Sequence, residues 1–255
     1  MFGPRIEAGK NNELVMRDIR PEDLEALPRE LSPKVTKYVS GETRRSLAEL
    51  LVKREKSDKY AWWATGLDRV IWGIFTANGD DERLVGYTGF EGQKVATPQG
   101  ATNWYVAETG SVLFEPEHMS KGIATATHPC RGAFAFAMGV HCLRSSVIIG
   151  NERSAGAVTR AGYALLGTDQ PDREGHERYE FRQYHPQSGA VATASALAAA
   201  SELAICSLDP AAVESSQQYV TGLLQSKPEV VETAKAWMAE YGSRLVYLPT
   251  EVPVA

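Results

Sequence analysis

The feature that most constrains this chain is the stretch Val112-Leu113-Phe114-Glu115-Pro116-Glu117-His118-Met119-Ser120-Lys121-Gly122-Ile123-Ala124-Thr125. An apolar run enters it, a Gly-containing turn follows, and small residues able to form a helix leave it. A strand, a turn and a helix start in that order bring several backbone N–H groups to one point. The first-turn amides of a helix have no partner within it and the helix dipole is positive there, so the point suits phosphate oxygens. A P-loop is excluded, because no Gly-Lys-Ser/Thr follows. The context strengthens the signal. Leu143 to Ile149 reads as a second strand, Asn151-Glu152-Arg153-Ser154 as a helix start, and Ala161-Gly162-Tyr163 as that helix's end.

At 255 residues and 43% hydrophobic content the chain can fill one generous domain, or one domain with a small appendage, so wholesale disorder is excluded. The net charge of −5 argues against a nucleic-acid groove and leaves a cationic amine open as substrate. Cys130, Cys142 and Cys206 show neither disulfide-framework nor zinc-ribbon spacing, which fits a reducing cytoplasm. Met1 to Asn12 lacks the apolar core of a signal peptide and reads as a leader, and no run reaches membrane-spanning length. A soluble, cytoplasmic protein is expected.

Leu14 to Ile19 reads as a strand, Pro21 to Leu24 starts a helix, Ser32-Pro33 breaks the chain, and Thr43 to Ser57 forms a second helix with a Leu47, Leu50, Leu51 stripe. Val70 to Phe75 and Leu84 to Phe90 flank Asn78-Gly79, a strong hairpin signal. Gln93 to Gly100 reads as a loop and Trp104 to Phe114 as the long central strand. Gly122 to Met138 is the crossover helix, with Pro129 expected to bend its first turns. Tyr163 to Leu166 and Arg178 to Phe181 close the sheet. Past Pro186 an Ala/Ser-rich stretch leads to two helices, Asp209 to Gln225 and Pro228 to Tyr241, whose apolar residues need burial against the domain or a second chain.

In this order the motifs resemble the coenzyme-A-binding half of the GNAT N-acetyltransferase superfamily, in the style of its ribosomal-protein N-terminal acetyltransferase branch. That branch reads strand, Pro-x-x-(Arg/Gln)-x-x-Gly-x-(Gly/Ala)-Thr, helix, strand, Asn-x-x-Ser, short helix, Gly-(Phe/Tyr). The resemblance spans about Glu13 to Tyr184. It implies an α/β fold with a GNAT-type mixed, centrally splayed sheet flanked by helices over 13–186, and a small C-terminal helical extension over 187–255. It also implies direct transfer of acetyl from acetyl-CoA to a primary amine in a ternary complex. The branch points to a protein N-terminus as acceptor; aminoglycosides, polyamines and other small amines remain open.

By the same resemblance, backbone amides of Lys121, Gly122, Ile123, Ala124 and Thr125 hold the coenzyme pyrophosphate, and Asn151 bonds the pantetheine. Ser154 lies near the sulfur as proton donor, and the Phe114 N–H polarises the thioester carbonyl. Met119 stands where the branch has Arg or Gln, which leaves Lys121 to supply the charge. Val158 replaces the Tyr acid of other relatives. Glu108, in Ala107-Glu108-Thr109-Gly110, is the first candidate for general base and Glu91 the second. Glu108 sits one residue upstream of the branch position, an offset that turns it to the other face unless a bulge absorbs it.

Plainer readings apply to each motif: an ordinary strand-to-helix turn, an Asn helix cap, solvated strand-end carboxylates and a solvated hairpin tip at Asp80-Asp81-Glu82. His128, Cys130, His141 and Cys142 lack ligand spacing, so no metal is expected. Tyr60, Trp62, Trp63, Trp72, Trp104 and Tyr105 read as core and cleft wall. Two rivals stand beside the amine acetyltransferase. A toxin-like aminoacyl-tRNA acetyltransferase needs a basic face. A non-catalytic binding or regulatory module would fail to bind acetyl-CoA. A homodimer through the C-terminal extension is a further expectation.

Overall fold

The seven runs read as strands, joined by one more from the leader, pair into one eight-stranded mixed sheet of order β1-β2-β3-β4-β5-β6-β8-β7. A computed structural model describes residues 2–10, 13–20, 22–23, 31–39, 69–78, 81–96, 103–172, 174–186 and 209–242. Strands β1 (Ile6–Ala8), β2 (Leu14–Arg17), β3 (Arg69–Asn78), β4 (Asp81–Ala96) and β5 (Asn103–Leu113) each pair antiparallel with the next. Strand β6 (Cys142–Ile148) lies parallel to β5, and β8 (Arg178–Tyr184) sits between β6 and β7 (Ala164–Asp169). Pairing of β5 with β6 covers Val106↔Cys142, Ala107↔Leu143 and Glu108↔Arg144 and then stops, which is the central splay.

The helices are α1 (Pro33–Thr36), α2 (Ile123–Ala137), α3 (Glu152–Arg160), α4 (Pro210–Ser226) and α5 (Pro228–Tyr241). Strand alternation sends Met16, Trp72, Phe90 and Ala107 to one face, where they meet Phe134 of α2 and Val158 of α3 in the main core. Val15, Ile71, Phe75, Leu84 and Phe114 form a smaller cluster on the opposite face, with Leu31 and Val39 of the segment around α1 against it. The C-terminal helices lie over α2. Val220, Leu223, Val230, Ala234, Trp237 and Met238 are buried in the main core, and Trp237 meets Phe134 edge-on at 5.7 Å. The apolar positions of the extension therefore find their cover within the chain.

Several expectations change. The leader contributes β1. Residues 93–96, read as part of a loop, extend β4, because register partners 103–106 of β5 satisfy their backbone. Glu82 is no solvated tip: it accepts from Arg17 Nε at 2.7 Å and pairs with Arg5 at 2.7 Å. Ser32-Pro33 starts a helix instead of breaking the chain, with Ser32 Oγ accepting from Lys34 N at 3.1 Å. Helix α2 runs as one helix through Pro129, which lies within its first two turns as expected. The helix expected at 43–57, most of the one from Pro21, the aromatics Tyr60, Trp62 and Trp63, and the 187–200 stretch lie outside the described residues. Among the described residues no helix is long and apolar enough to cross a membrane.

Candidate active site

The turn after β5 begins with a 3-10 segment, Pro116–His118. Ser120 (φ 62°) and Gly122 (φ 78°) then take left-handed conformations that swing the chain into α2, whose first bond is Ala126 N to Gly122 O at 2.9 Å. Among the described residues, the N–H groups of Ser120 through Thr125 meet no acceptor. They point away at the positive end of the fifteen-residue α2. Asn151 caps α3, its Oδ1 accepting from Ser154 N at 3.3 Å, so its NH2 group stays available as a donor. The cap and the ligand reading coexist. Residues 120–125, Asn151, Ser154, Val158, Leu113, Gly110 and Glu108 border one cleft.

The open edge of β5 follows from strand parity. Tyr105 O accepts from His141 N at 2.9 Å on the β6 side, whereas Phe114 N donates to Val85 O at 2.9 Å on the β4 side. Successive residues alternate, so odd-numbered residues of β5 turn their main-chain groups to β6. Pairing has stopped by Ser111 and Leu113, and their N–H groups border the gap. The donor expected at Phe114 is thus committed to the sheet, and the neighbouring Leu113 faces the opening instead. The β4–β5 register runs without a shift, so no bulge absorbs the offset and Glu108 stays on the face opposite α2, where it still borders the cleft.

Both carboxylate candidates lie on one rung. Arg69↔Glu91, Glu91↔Glu108 and Glu108↔Arg144 are successive register partners across four strands. They occupy the face of Val112 and Phe114, opposite α2. Glu91 is taken by Arg69, which donates from Nε at 3.0 Å and also from Nη2. Arg144 spends its strong bonds elsewhere, on Glu180 at 2.8 Å and Asp169 at 2.6 Å, and reaches Glu108 only at 3.9 Å. Glu108 is 55% exposed by area yet set in the concave cleft, and desolvation there raises its carboxyl above the ordinary range, against the pull of Arg144.

Beneath β5 lies a polar network not anticipated from the sequence. Arg131 of α2, 1% exposed, donates from Nη1 to Thr88 Oγ1 at 2.8 Å, Ser111 Oγ at 2.9 Å and the Gly110 carbonyl at 3.0 Å. Its Nη2 lies 3.5 Å from the Tyr163 hydroxyl, which neighbours Thr109 Oγ1 at 3.4 Å. Thr109 Oγ1 donates to Arg144 O at 3.0 Å, bridging the strands one residue beyond their last rung. Ser111 Oγ also meets His128 Nε2 at 3.3 Å. Among the described residues no carboxylate meets Arg131, so neutral acceptors alone offset its burial. Burial and the Arg131 charge hold the His128 imidazole well below its ordinary pKa. The available signal was a lone Arg amid the small and apolar residues of a predicted helix.

The four His and Cys residues weighed as metal ligands do not converge: His128 faces Ser111, Cys130 faces the Glu7 carbonyl, and Cys142 belongs to a separate cluster. Burial pushes the Cys142 thiol up to about 12 and raises that of Cys130, so neither is poised as a nucleophile.

A splayed mixed sheet whose central strand feeds a bare helix N-terminus defines an acyl-coenzyme-type transferase architecture, and the family comparison agrees. Residues 13–164 match the acetyltransferase (GNAT) domain model, more than half of the chain, and the chain belongs to that family of acyltransferases. Among solved structures, a GNAT-family acetyltransferase from Bacillus anthracis is 17% identical, with a TM-score of 0.50 over 71% of this chain and 98% of its own. The ribosomal L7/L12 α-N-protein acetyltransferase RimL, in complex with coenzyme A, is 14% identical, with a TM-score of 0.48 over 71% and 98%. The ribosomal-protein-S5-alanine acetyltransferase of Vibrio fischeri is 11% identical, with a TM-score of 0.46 over 69% and 96%. No curated protein matches the chain in sequence.

Proposed function

We propose that this protein acetylates a primary amine, a protein N-terminus or a small molecule, using acetyl-CoA in a ternary complex. The observation that carries the reading is the convergence of the unpaired N–H groups of Ser120 to Thr125 and the free edge of β5 on one cleft. A diphosphate fits the first and an amide-bearing chain fits the second, so the residues present suit the coenzyme. Acetyl-CoA supplies the activated thioester. The amides of Lys121, Gly122, Ile123, Ala124 and Thr125 bind the pyrophosphate, and Lys121 adds the charge that Met119 lacks. The Asn151 amide and the Ser111 and Leu113 N–H groups orient the pantetheine and hold the carbonyl oxygen as it gains negative charge. Glu108 takes the proton from the ammonium through water, because an amine must be neutral to attack. As the nitrogen forms the new C–N bond and the C–S bond breaks, Ser154 gives its hydroxyl proton to the departing sulfur and takes up the second proton that the nitrogen sheds. We read 13–186 as the catalytic domain and 187–255 as an extension appended to it.

The test is calorimetric titration with acetyl-CoA. Wild-type protein is expected to bind and Gly122→Glu to lose binding through repulsion of the pyrophosphate. Gly122→Asn, which tolerates the left-handed conformation, is expected to retain most of it. Absence of wild-type binding would overturn the reading, and equal loss in both variants would trace the effect to backbone strain.

A further inference from the structure

Two cross-strand glycines lie beside the Glu91–Glu108 rung. Gly89 and Gly110 are register partners, one step along from that rung on the same sheet face and followed by Tyr87↔Val112. Among the described residues they leave a trough between the carboxylates and Tyr87, walled on the β3 side by Ile71.

The two glycines have different reasons to be there. A Cβ on Gly89 would stand 2.5 Å from the Val70 carbonyl oxygen, so close backbone packing requires glycine. At Gly110, among the described residues, no atom lies within 4 Å of the added Cβ, and its φ is not in the left-handed range. Glycine inside a strand weakens it, and nothing in the fold demands one at this position. The open space in front of Gly110 is what its substitution would change.

That space is well placed. Gly110 precedes Ser111, whose N–H borders the gap, and Glu108 stands two residues back, about 7 Å along the strand. An amine lying over Gly110 would sit between the Glu108 carboxylate and the strand edge at Ser111 proposed to face the thioester.

Resting on the acetyltransferase reading above, we infer that Gly110 is the specificity-determining floor under the acceptor. It gives room for a primary amine borne on a substituted carbon, as in a peptide α-amine, over one on an unbranched methylene. The substituent of the amine-bearing carbon occupies the trough, while the nitrogen faces Glu108.

The experiment compares wild type with Gly110→Ala and Gly110→Val, using tri-alanine amide as the α-amine probe and Nα-acetyl-lysine amide as the unbranched one. Gly110→Ala is expected to raise KM for tri-alanine amide about tenfold, the effect of one misplaced methyl in a fitted pocket, and Gly110→Val to raise it further. KM for Nα-acetyl-lysine amide should change far less. Calorimetric titration of tri-alanine amide into protein saturated with coenzyme A should show the same weakening. Melting temperature should stay at or rise above the wild-type value, because a strand glycine is replaced, and acetyl-CoA affinity should be unchanged.

Equal effects on both probes, no effect on either, or wild-type acetylation of the lysine probe alone or of neither would overturn the inference while leaving coenzyme binding in place. Failure of the wild-type protein to bind acetyl-CoA would overturn the functional reading itself, and this inference with it.

Discussion

Glu91 is held by Arg69 through two donors, while Glu108 has only a 3.9 Å contact to an arginine already engaged by Glu180 and Asp169. The free carboxylate is the one able to exchange a proton. Its raised pKa places its titration above the ordinary carboxylate value of 4.5. The base works deprotonated, so kcat/KM should rise with pH through that titration. Glu108→Gln should abolish this acidic limb and lower kcat about 10²-fold, in line with loss of a general base. Glu91→Gln should leave kcat near wild type. The pH profiles of the two variants decide the assignment: an unchanged limb in Glu108→Gln would move the base elsewhere.

At the scale of elements, the helices past residue 208 share the core of α2. Trp237, 6% exposed, packs on Phe134 and Tyr241 at 5.7 and 5.4 Å. Trp237→Ala should cost about 3 kcal/mol, as large-to-small core substitutions do, with unfolding kept as a single cooperative transition. Two separated transitions in urea would show that the extension folds apart from the sheet. The half of the proposed site built on one stretch was legible in the sequence, because the backbone amides of Lys121 to Thr125 are set by a local turn. The helix start that places Asn151 and Ser154 was legible for the same reason. The acceptor half was not. Glu91 meets Glu108, and Gly89 meets Gly110, through the β4–β5 register, which no local pattern reveals. The Phe114 N–H is taken up by the sheet, a commitment no local pattern shows, because parity along β5 is fixed by Tyr105 and His141 at its far end.

For the molecule as a whole, desolvated imidazoles, His128 buried and His141 and His185 half-buried, set the acid response. His128, His141 and His185 all have folded pKa values below the ordinary 6.5, each mainly through desolvation, and His185 falls to about 4. Below 6.5 the unfolded chain therefore binds more protons than the fold. Stability is fully present above pH 6.5 and is lost as pH falls from there toward 4, with Glu108 alone of the groups named here acting in the opposite sense. Urea midpoints should drop between pH 7 and pH 5, and His128→Gln should flatten part of that drop. A midpoint independent of pH across this window would contradict the burial of neutral histidines.

The short seam between β5 and β6 has a mechanical meaning. Eleven residue pairs join β4 to β5 and seven join β6 to β8, but only three join β5 to β6. The sheet behaves as two stiff plates, β1 to β5 and β6 to β8, fastened along one edge and strapped across by α2. A molecule wedged into the gap loads that short fastening and bends neither plate. Compliance is concentrated at Val106 to Glu108, so widening of the cleft tilts the strand edge bearing Ser111 and Leu113 relative to Asn151 and Ser154 on the other plate.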